Sequence, residues 1–393
     1  MATPTSKPTV FTGFSGLVNT MDLDQLEPGD LQKTDNLDLN DGKKAKCRAG
    51  WGTVKTAGNF RSGWSDGPDC FALTGTSLVR VNADYSTTAL ATVGTNDRLA
   101  VARAPGRIYW MTNSAKGAIE GNTSRSWGMD APVFTATSTP GAMPLDDYRV
   151  TVAFVRNRQE SGALNGQIVT GTGVRVTMPA GEKNIYCTGP DGTEYYFAGN
   201  TTALTFDILG VPDGPELDTQ FCIPPPLGHI IAYWKGRMLI AVGDALFWTP
   251  AFRLEVVRPE KSFVRFGERI RIVAPFEGGV YIGTSTRHFL LSGNDPTKWQ
   301  PLVVANYGAI EGTLAVNFSN PGQDATDGQV PTPVWTTRQG IVMGKPGGLV
   351  NVTEARYRFG EAQRGSAVIR SYAGFRQYLT VMNQAAPATD AAY

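Results

Sequence analysis

Two histidines, His229 and His288, are all that a chain of 393 residues offers for imidazole chemistry. A serine-histidine-aspartate arrangement or a histidine-based metal site would have to use one of them, so most nucleophilic and metal chemistries are starved of parts. His288 falls in TSTRHFLL, on a predicted strand, and His229 follows a proline run. Both are expected to be structural, hydrogen-bonded or exposed. The four cysteines, Cys47, Cys70, Cys187 and Cys222, are scattered and form no CxxC pair. That pattern predicts free thiols of a reducing cytosol and no zinc site.

Acid chemistry fares no better. A glycoside hydrolase needs two carboxylates about 5–10 Å apart, and Asp66, Glu120, Glu160 and Glu277 sit in turn-like positions where solvated side chains are the expectation. The Ser-x-Asp-x-Gly-x-x-Trp turns of sialidase-type propellers are absent, SDGPDCF at Ser65 and GNTSRSWG at Gly121 being partial echoes. NLDLNDG, Asn36 to Gly42, places its glycine one position late for a calcium loop and lacks the closing glutamate, so an Asx-turn is expected. GTGVRV and GKPGG lack the strand-to-helix context and the Lys-Ser/Thr of a phosphate cradle, and read as hairpin turns. Basic and acidic side chains number 36 and 35, for a net charge of +1. Arg80, Arg103, Arg107, Arg125, Arg149, Arg156, Arg158 and Arg175 are spread evenly with acids among them, which gives no basic stripe for sequence-specific DNA binding. No catalytic, cofactor-binding or metal residue is assigned, and a non-enzymatic protein with no cofactor is expected.

The elements that would position any site are short strands. The 45 glycines, 25 prolines and eight tryptophans, with 41% hydrophobic and 18% charged residues, suit many strands joined by turns around a sizeable core. No run of about 18 apolar residues exists, and the first thirty residues lack a basic start followed by an apolar block, so neither membrane insertion nor an ordinary secretory signal is expected. One unit recurs: a polar turn with glycine, an apolar strand, a second turn and another strand. It begins at Ala102, Tyr233, Pro275, Val334 and Ser371. The glycines before the strands, Gly106, Gly236, Gly279, Gly340 and Gly374, suit hairpin turns with positive φ. Such hairpins bury both faces only by stacking on equivalent sheets, and radial repetition achieves this with short edges. The predicted fold class is therefore all-β, a β-propeller, with Trp110, Trp234, Trp248, Trp335, Tyr109 and Tyr281 as packing between blades.

Residues 146–221 change pattern to strict alternation. Tyr148, Val150, Val152 and Phe154 fall on one face, and Val174 with Val176 on another strand's face. This predicts an inserted β-sandwich of the fibronectin type III or immunoglobulin kind, left through the stiff linker FCIPPPLGH. The expected organisation is an extended arm and first strand pairing over 1–60, propeller over 61–145, sandwich over 146–221, propeller over 222–385, and a fraying tail over 386–393.

Several segments resemble, in order, those of phage tail structural proteins. GFSGLVN followed by LQKTDNLDLNDGKKAKCRAGWG is similar to their opening, DYRVTVAFVRNRQESGA to their inserted fibronectin-like domain, and PPPLGHIIAYWKGRMLIAVGDALFWTPAFRLEVV, VAPFEGGVYIGTSTRHFLLSGNDP, YGAIEGT and WTTRQGIVMGKPGGLVNVT to their later blades. The plan also resembles the nozzle proteins of short-tailed phages, although this chain is shorter. The resemblance implies a structural virion component of the tail hub, nozzle or tip, assembled in the host bacterial cytoplasm. The expected partners are copies of itself in a homo-oligomeric ring and other tail or connector proteins, with genomic DNA passing a lumen without specific binding. The alternative is a tail-tip receptor or glycan binder whose exposed aromatics, such as Trp127, Trp248 or Tyr196, line a loop-face pocket. A propeller hydrolase is the third reading.

Overall fold

A computed structural model describes residues 12–35, 37–39, 43–47, 59–163, 166–318, 331–353, 356–372 and 375–384. Within these the chain is all-β and propeller-like, and the only helical turns are two short 3-10 segments, Leu23–Gln25 and Pro296–Lys298. Asn36 and Asn40 to Gly42 of the NLDLNDG segment, Gly374 and the tail 386–393 lie outside the described residues.

Near the N-terminus β1 (Gly16–Leu17) runs parallel to β2 (Asp30–Leu31), and β3 (Leu37–Leu39) pairs with β4 (Ala45–Cys47). Two antiparallel four-stranded meanders follow: β5 (Phe60–Asp66), β6 (Asp69–Thr74), β7 (Ser77–Val81) and β8 (Thr87–Thr92), then β9 (Ala100–Ala104), β10 (Arg107–Met111), β11 (Lys116–Glu120) and β12 (Thr123–Ser126). The next eight strands are β13 (Thr135–Ser138), β14 (Asp146–Arg156), β15 (Gln159–Glu160), β16 (Gln167–Gly171), β17 (Val174–Thr177), β18 (Lys183–Thr188), β19 (Tyr195–Thr201) and β20 (Thr205–Ile208). They form a three-stranded sheet, β13-β17-β20, and a five-stranded one, β15-β14-β18-β19 with β16 also on β14. Three more meanders complete the series: β21 (Ile230–Trp234) to β22 (Arg237–Val242), β23 (Ala245–Trp248) and β24 (Phe263–Arg265); β25 (Ile272–Phe276) to β26 (Gly279–Gly283), β27 (His288–Ser292) and β28 (Leu302–Ala305); β29 (Ala315–Phe318) to β30 (Pro331–Thr337), β31 (Gly340–Lys345) and β32 (Gly348–Asn351). A two-stranded ribbon, β33 (Ala362–Tyr372) with β34 (Phe375–Gln384), comes last. Residues 58–273 with 293–299 make one compact unit, and the described parts of 1–57, 274–292 and 300–393 make another.

Alternation explains why the meanders stack. On β10, Ile108 and Trp110 point to one side and pack with Phe71, Leu73 and Leu78 of the preceding sheet. Tyr109 and Met111 point to the other and pack with Ile231, Met238 and Ile240 of the sheet β21–β24. A strand that is apolar on both faces is thereby covered twice, the blade arrangement of propellers. The sheets β9–β12 and β21–β24 touch directly although the segment β13–β20 separates them in sequence. That segment has its own core, in which Tyr148, Val150 and Val152 of one sheet meet Val174, Val176 and Ile208 of the other. Phe154, the fourth on the alternation, is half-buried. The segment's first strand is β13, ahead of the expected start at 146. It pairs with β17 over Thr135–Ser138, and its TATS sequence carries too little apolar alternation to announce a strand. The tryptophans and tyrosines of the hairpins are buried, from Trp335 and Tyr281 at 0% exposure to Trp234 and Trp248 at 4%.

The hairpin glycines have positive φ, but in two different settings. Gly106 (φ 75°) and Gly236 (φ 77°) occupy two-residue turns, between Ala104 and Arg107 and between Trp234 and Arg237. Gly279 (φ 155°) and Gly340 (φ 127°) are first residues of strands. A Cβ on Gly279 would stand 2.1 Å from the Leu291 carbonyl oxygen, whereas one on Gly106 meets nothing within 4 Å. Gly106→Ala should therefore cost about 1 kcal/mol of backbone strain. Gly279→Ala, which adds a backbone collision, should cost about 3 kcal/mol. Urea midpoints of the two variants measure the difference, and equal shifts would refute the crowding argument.

Candidate functional site

A linked set of charged side chains lies in one unit, where the β14–β15 hairpin meets the β11–β12 hairpin and the loop after β23. Asn157 and Arg158, both with positive φ, make the two-residue turn between Arg156 and Gln159, an αL pair of the kind favoured in tight hairpins. Glu255, 1% exposed, sits in the loop among Leu254, Val256 and Val257. Its carboxylate accepts from Arg125 at 2.8 Å, from Arg156 at 3.3 Å and from the Gly128 backbone N–H at 2.7 Å. Arg125 also donates to Glu120 at 3.1 Å, where Arg107 lies 3.1 Å away and Asn157 Nδ2 donates at 3.2 Å. Burial works to raise the Glu120 pKa, but the hydrogen bond and charge of Arg125, with Arg107 and Asn157, outweigh it and hold the carboxyl below the ordinary range.

A second cluster adjoins it through the same strands. Glu160, 4% exposed, accepts from Tyr186 Oη at 2.6 Å, Asn184 at 2.7 Å and Arg253 at 3.2 Å, and Arg253 also pairs with Asp218 at 2.8 Å. Burial, reinforced by the Glu160 carboxylate, pushes the Tyr186 hydroxyl far above its usual range. Gln159 bridges the Leu254 N–H and the Phe252 carbonyl, while Trp127 Nε1 donates to the Leu254 carbonyl at 2.7 Å. Arg125, Arg156 and Arg253 are each held by glutamate or backbone acceptors, although Arg156 Nε is buried without a partner. Such a cluster fixes orientation, while the Glu120 and Asp218 side chains, 37% and 53% exposed, keep contact with water.

Carboxylates singled out in the sequence fall in different surroundings. Asp66 pairs with Arg103, Glu120 and Glu160 belong to the two clusters, and Glu277 is exposed on the turn before β26. The expectation of solvated turn residues holds for Glu277 and for Asp66, which is exposed although paired with Arg103, and is corrected for Glu160, which is buried, and for Glu120, which is half-buried and ion-paired. Glu255 and Arg253 lie outside the sequence expectations; a charged residue inside the apolar run LEVV, which in a folded chain requires a partner, is the signal that marks Glu255. The cysteines are free thiols: Cys187 and Cys222 are buried, and Cys47 is exposed. Burial pushes Cys187 up to about 12 and raises Cys222 and Cys70, making them weak nucleophiles. Among the described residues no group of three or more His, Cys, Asp or Glu could hold a metal, and no helix is long and apolar enough to cross a membrane.

The histidines are hydrogen-bonded. His229 Nε2 donates to the Ile270 carbonyl at 2.7 Å. His288 is fully buried; Nδ1 donates to the Tyr307 carbonyl at 2.7 Å, and Nε2 accepts from Trp335 Nε1 at 2.9 Å. Both nitrogens are committed to the neutral ring, and burial lowers its pKa to about 4. Between pH 6.5 and 4 the unfolded chain therefore binds the proton and the folded chain does not. This contribution to stability is complete above pH 6.5 and falls away by about 3 kcal/mol as pH drops to 4. Denaturation at several pH values should show the loss in the wild type and its absence from that window in His288→Gln.

Aromatics expected to line an exposed pocket are corrected: Trp127 (1% exposed) and Trp248 (4%) are packed inside, and Tyr196 is half-buried with its hydroxyl on Glu194. The exposed aromatics of this region are Phe221 (60%) and Phe252 (73%), both held at positive φ. A cleft of about 300 Å³ lies where the chain enters and leaves the two-sheet segment, lined by Asp130, Pro132, Phe134, Thr151, Val152 and Cys222 among others.

No protein-family model matches the chain, and no curated protein does. Solved structures similar to it include a chain of the BBS1N complex with ARL6DN, 8% identical over 80% of this chain and 86% of that one, with a TM-score of 0.32. The WD40 domain of SCAP from fission yeast is 9% identical over 73% of this chain and 62% of that one, TM-score 0.26. A chain of the nidogen/laminin complex is 10% identical over 73% and 94%, TM-score 0.25.

Proposed function

We propose that the chain is a non-enzymatic structural component of a phage virion tail, at its hub, nozzle or tip, where copies form a symmetric ring and dock neighbouring tail proteins or fibres. The observation that carries the reading is the use of chemistry-bearing side chains as fasteners. Glu255 is held by two arginines, Glu160 by Arg253 and Tyr186, and His288 by Trp335 and Tyr307. Rigid placement of one sheet set on another suits a part whose task is shape. The ordered likeness of its segments to tail proteins supports the viral assignment. In this reading the segment β13–β20 is a fibronectin-like sandwich that reaches a neighbour, and its outward Ile168, Leu204 and Leu209, each half or more exposed, supply contact surface. A net charge of +1 lets DNA pass a lumen without sticking. Gold-labelled antibody on particles carrying the chain tests the reading: label on the tail supports it, and label on the capsid or none on the particle refutes it.

A second reading, a receptor or glycan binder at the tail tip, draws on Phe221 and Phe252. A bulky residue at positive φ costs about 1–3 kcal/mol, and aromatics presented at that expense suit stacking on a ligand. Free protein would then adsorb to host cells and Phe252→Ala would not; equal adsorption by both would remove this reading.

A further inference from the structure

Among the described residues the β33–β34 ribbon, with strands of eleven and ten residues, has no third strand, only a single bridge from Glu311 to Arg364. A two-stranded ribbon is marginal in water unless a face is covered. One face is anchored: Tyr378 Oη donates to the Thr313 carbonyl at 2.6 Å and lies 2.9 Å from Thr336 Oγ1. The register puts Val368 opposite Leu379 and Ser366 opposite Val381 on the other face, where Val368 is 53% and Val381 75% exposed. From Ala362 to Gln384 the sequence holds no acid; Arg364 is exposed, and the register puts Arg370, which donates to Gln377 at 2.7 Å, on the face of Val368.

The same unit offers the complement. Between Thr12 and Leu31 the chain holds Asp22, Asp24, Glu27 and Asp30 and no lysine or arginine. The ends of this turn are tied down within their own copy. Val18 donates to the Leu31 carbonyl, Asn19 exchanges side-chain and backbone hydrogen bonds with Arg358 at 2.8 Å, and Asp30 pairs with Arg356. The projecting part is left with Met21 at 46% and Leu23 at 74% exposure inside a frame of acids.

We infer that the outward face of the β33–β34 ribbon in one copy receives the acidic turn Met21–Glu27 of a second copy. The apolar pair Met21 and Leu23 covers Val368 and Val381, while Asp22, Asp24 and Glu27 meet Arg364 and Arg370. Apolar centre and opposite charges give such a contact its register and partner choice. Because ribbon and turn are different patches of one chain, the contact is heterologous and propagates from copy to copy, closing a ring when the rotation allows. The inference rests on the proposed symmetric assembly and names its interface.

Sedimentation of the full chain over a range of concentrations tests it. A ribbon variant, Val368→Asp with Val381→Asp, and a turn variant, Asp22→Arg with Asp24→Arg, should each stay monomeric, with association weakened by about a hundredfold or more. Mixed in equal amounts they should form a dimer and nothing larger, because one intact ribbon and one intact turn remain between them. Arg364→Glu with Arg370→Glu, added to the turn variant in one chain, should restore assembly. Far-UV circular dichroism confirms folding; if the first ribbon variant unfolds, a ribbon carrying Arg364→Glu with Arg370→Glu and an intact turn replaces it and should also block assembly. Variants that assemble like the wild type overturn this interface and leave the assembly reading standing. A wild type that stays monomeric throughout overturns both.

Discussion

Replacing Glu255 by alanine should lower stability by about 3 kcal/mol, near the lower end of the 3–5 kcal/mol expected when a buried ion pair loses one partner. The lower end applies because the arginine side chains it would abandon, Arg125 at 18% and Arg156 at 31% exposure, keep some contact with water. The Gly128 N–H would also lose its acceptor, and Gly128 itself cannot shift freely, since a Cβ there would stand 2.8 Å from Pro224. Glu255→Met combined with Arg125→Met should recover part of the loss, because removing both partners of a buried pair costs less than removing one. Urea denaturation of the two variants provides the comparison. A loss below 1 kcal/mol for Glu255→Ala would mean that the cluster is solvated and does not hold the β14–β15 hairpin in place.

Trp335→Ala should cost about 3–5 kcal/mol, the range for deleting a fully buried large aromatic. The ring is 0% exposed, with its centroid 5.9 Å from Tyr281 and 5.7 Å from His288. Its loss opens a cavity between the sheets β25–β28 and β29–β32 and removes the donor on His288 Nε2. Water reaching the imidazole would relieve the burial that lowers its pKa, so the acid-sensitive window between pH 6.5 and 4 should narrow in this variant. Trp335→Phe keeps most of the volume but not the N–H, and should cost about 1–2 kcal/mol for the orphaned acceptor. Thermal denaturation at pH 7 and pH 5 separates these effects; a Phe variant as damaged as the Ala variant would make the hydrogen bond, not packing, the main term.

What the sequence disclosed was periodic. The alternation Tyr148, Val150, Val152 is a core face, and the glycines at 106 and 236 are hairpin turns with positive φ, because side-chain period and backbone sterics act locally. Pairing over distance is a different matter. Glu255 and Arg125 are separated by 130 residues, and nothing in either neighbourhood names the other. Trp127 and Trp248 could be read as exposed ligand platforms or as core by residue type alone; only the sheets stacked on them decide for core. The β13 strand carries no such mark, since an edge strand of Thr, Ala and Ser takes its place from its partner β17 rather than from its own pattern. The Glu255 cluster follows the same course: its arginines are visible in the sequence as scattered charges, and their common acid is not.

A part valued for its geometry should assemble. Negative-stain electron microscopy of the purified full chain addresses this most directly: class averages are predicted to show closed rings of one symmetry, with the protein turning over no glycan. Single particles at every concentration, or hydrolysis of host-surface glycan by the same preparation, would contradict the account.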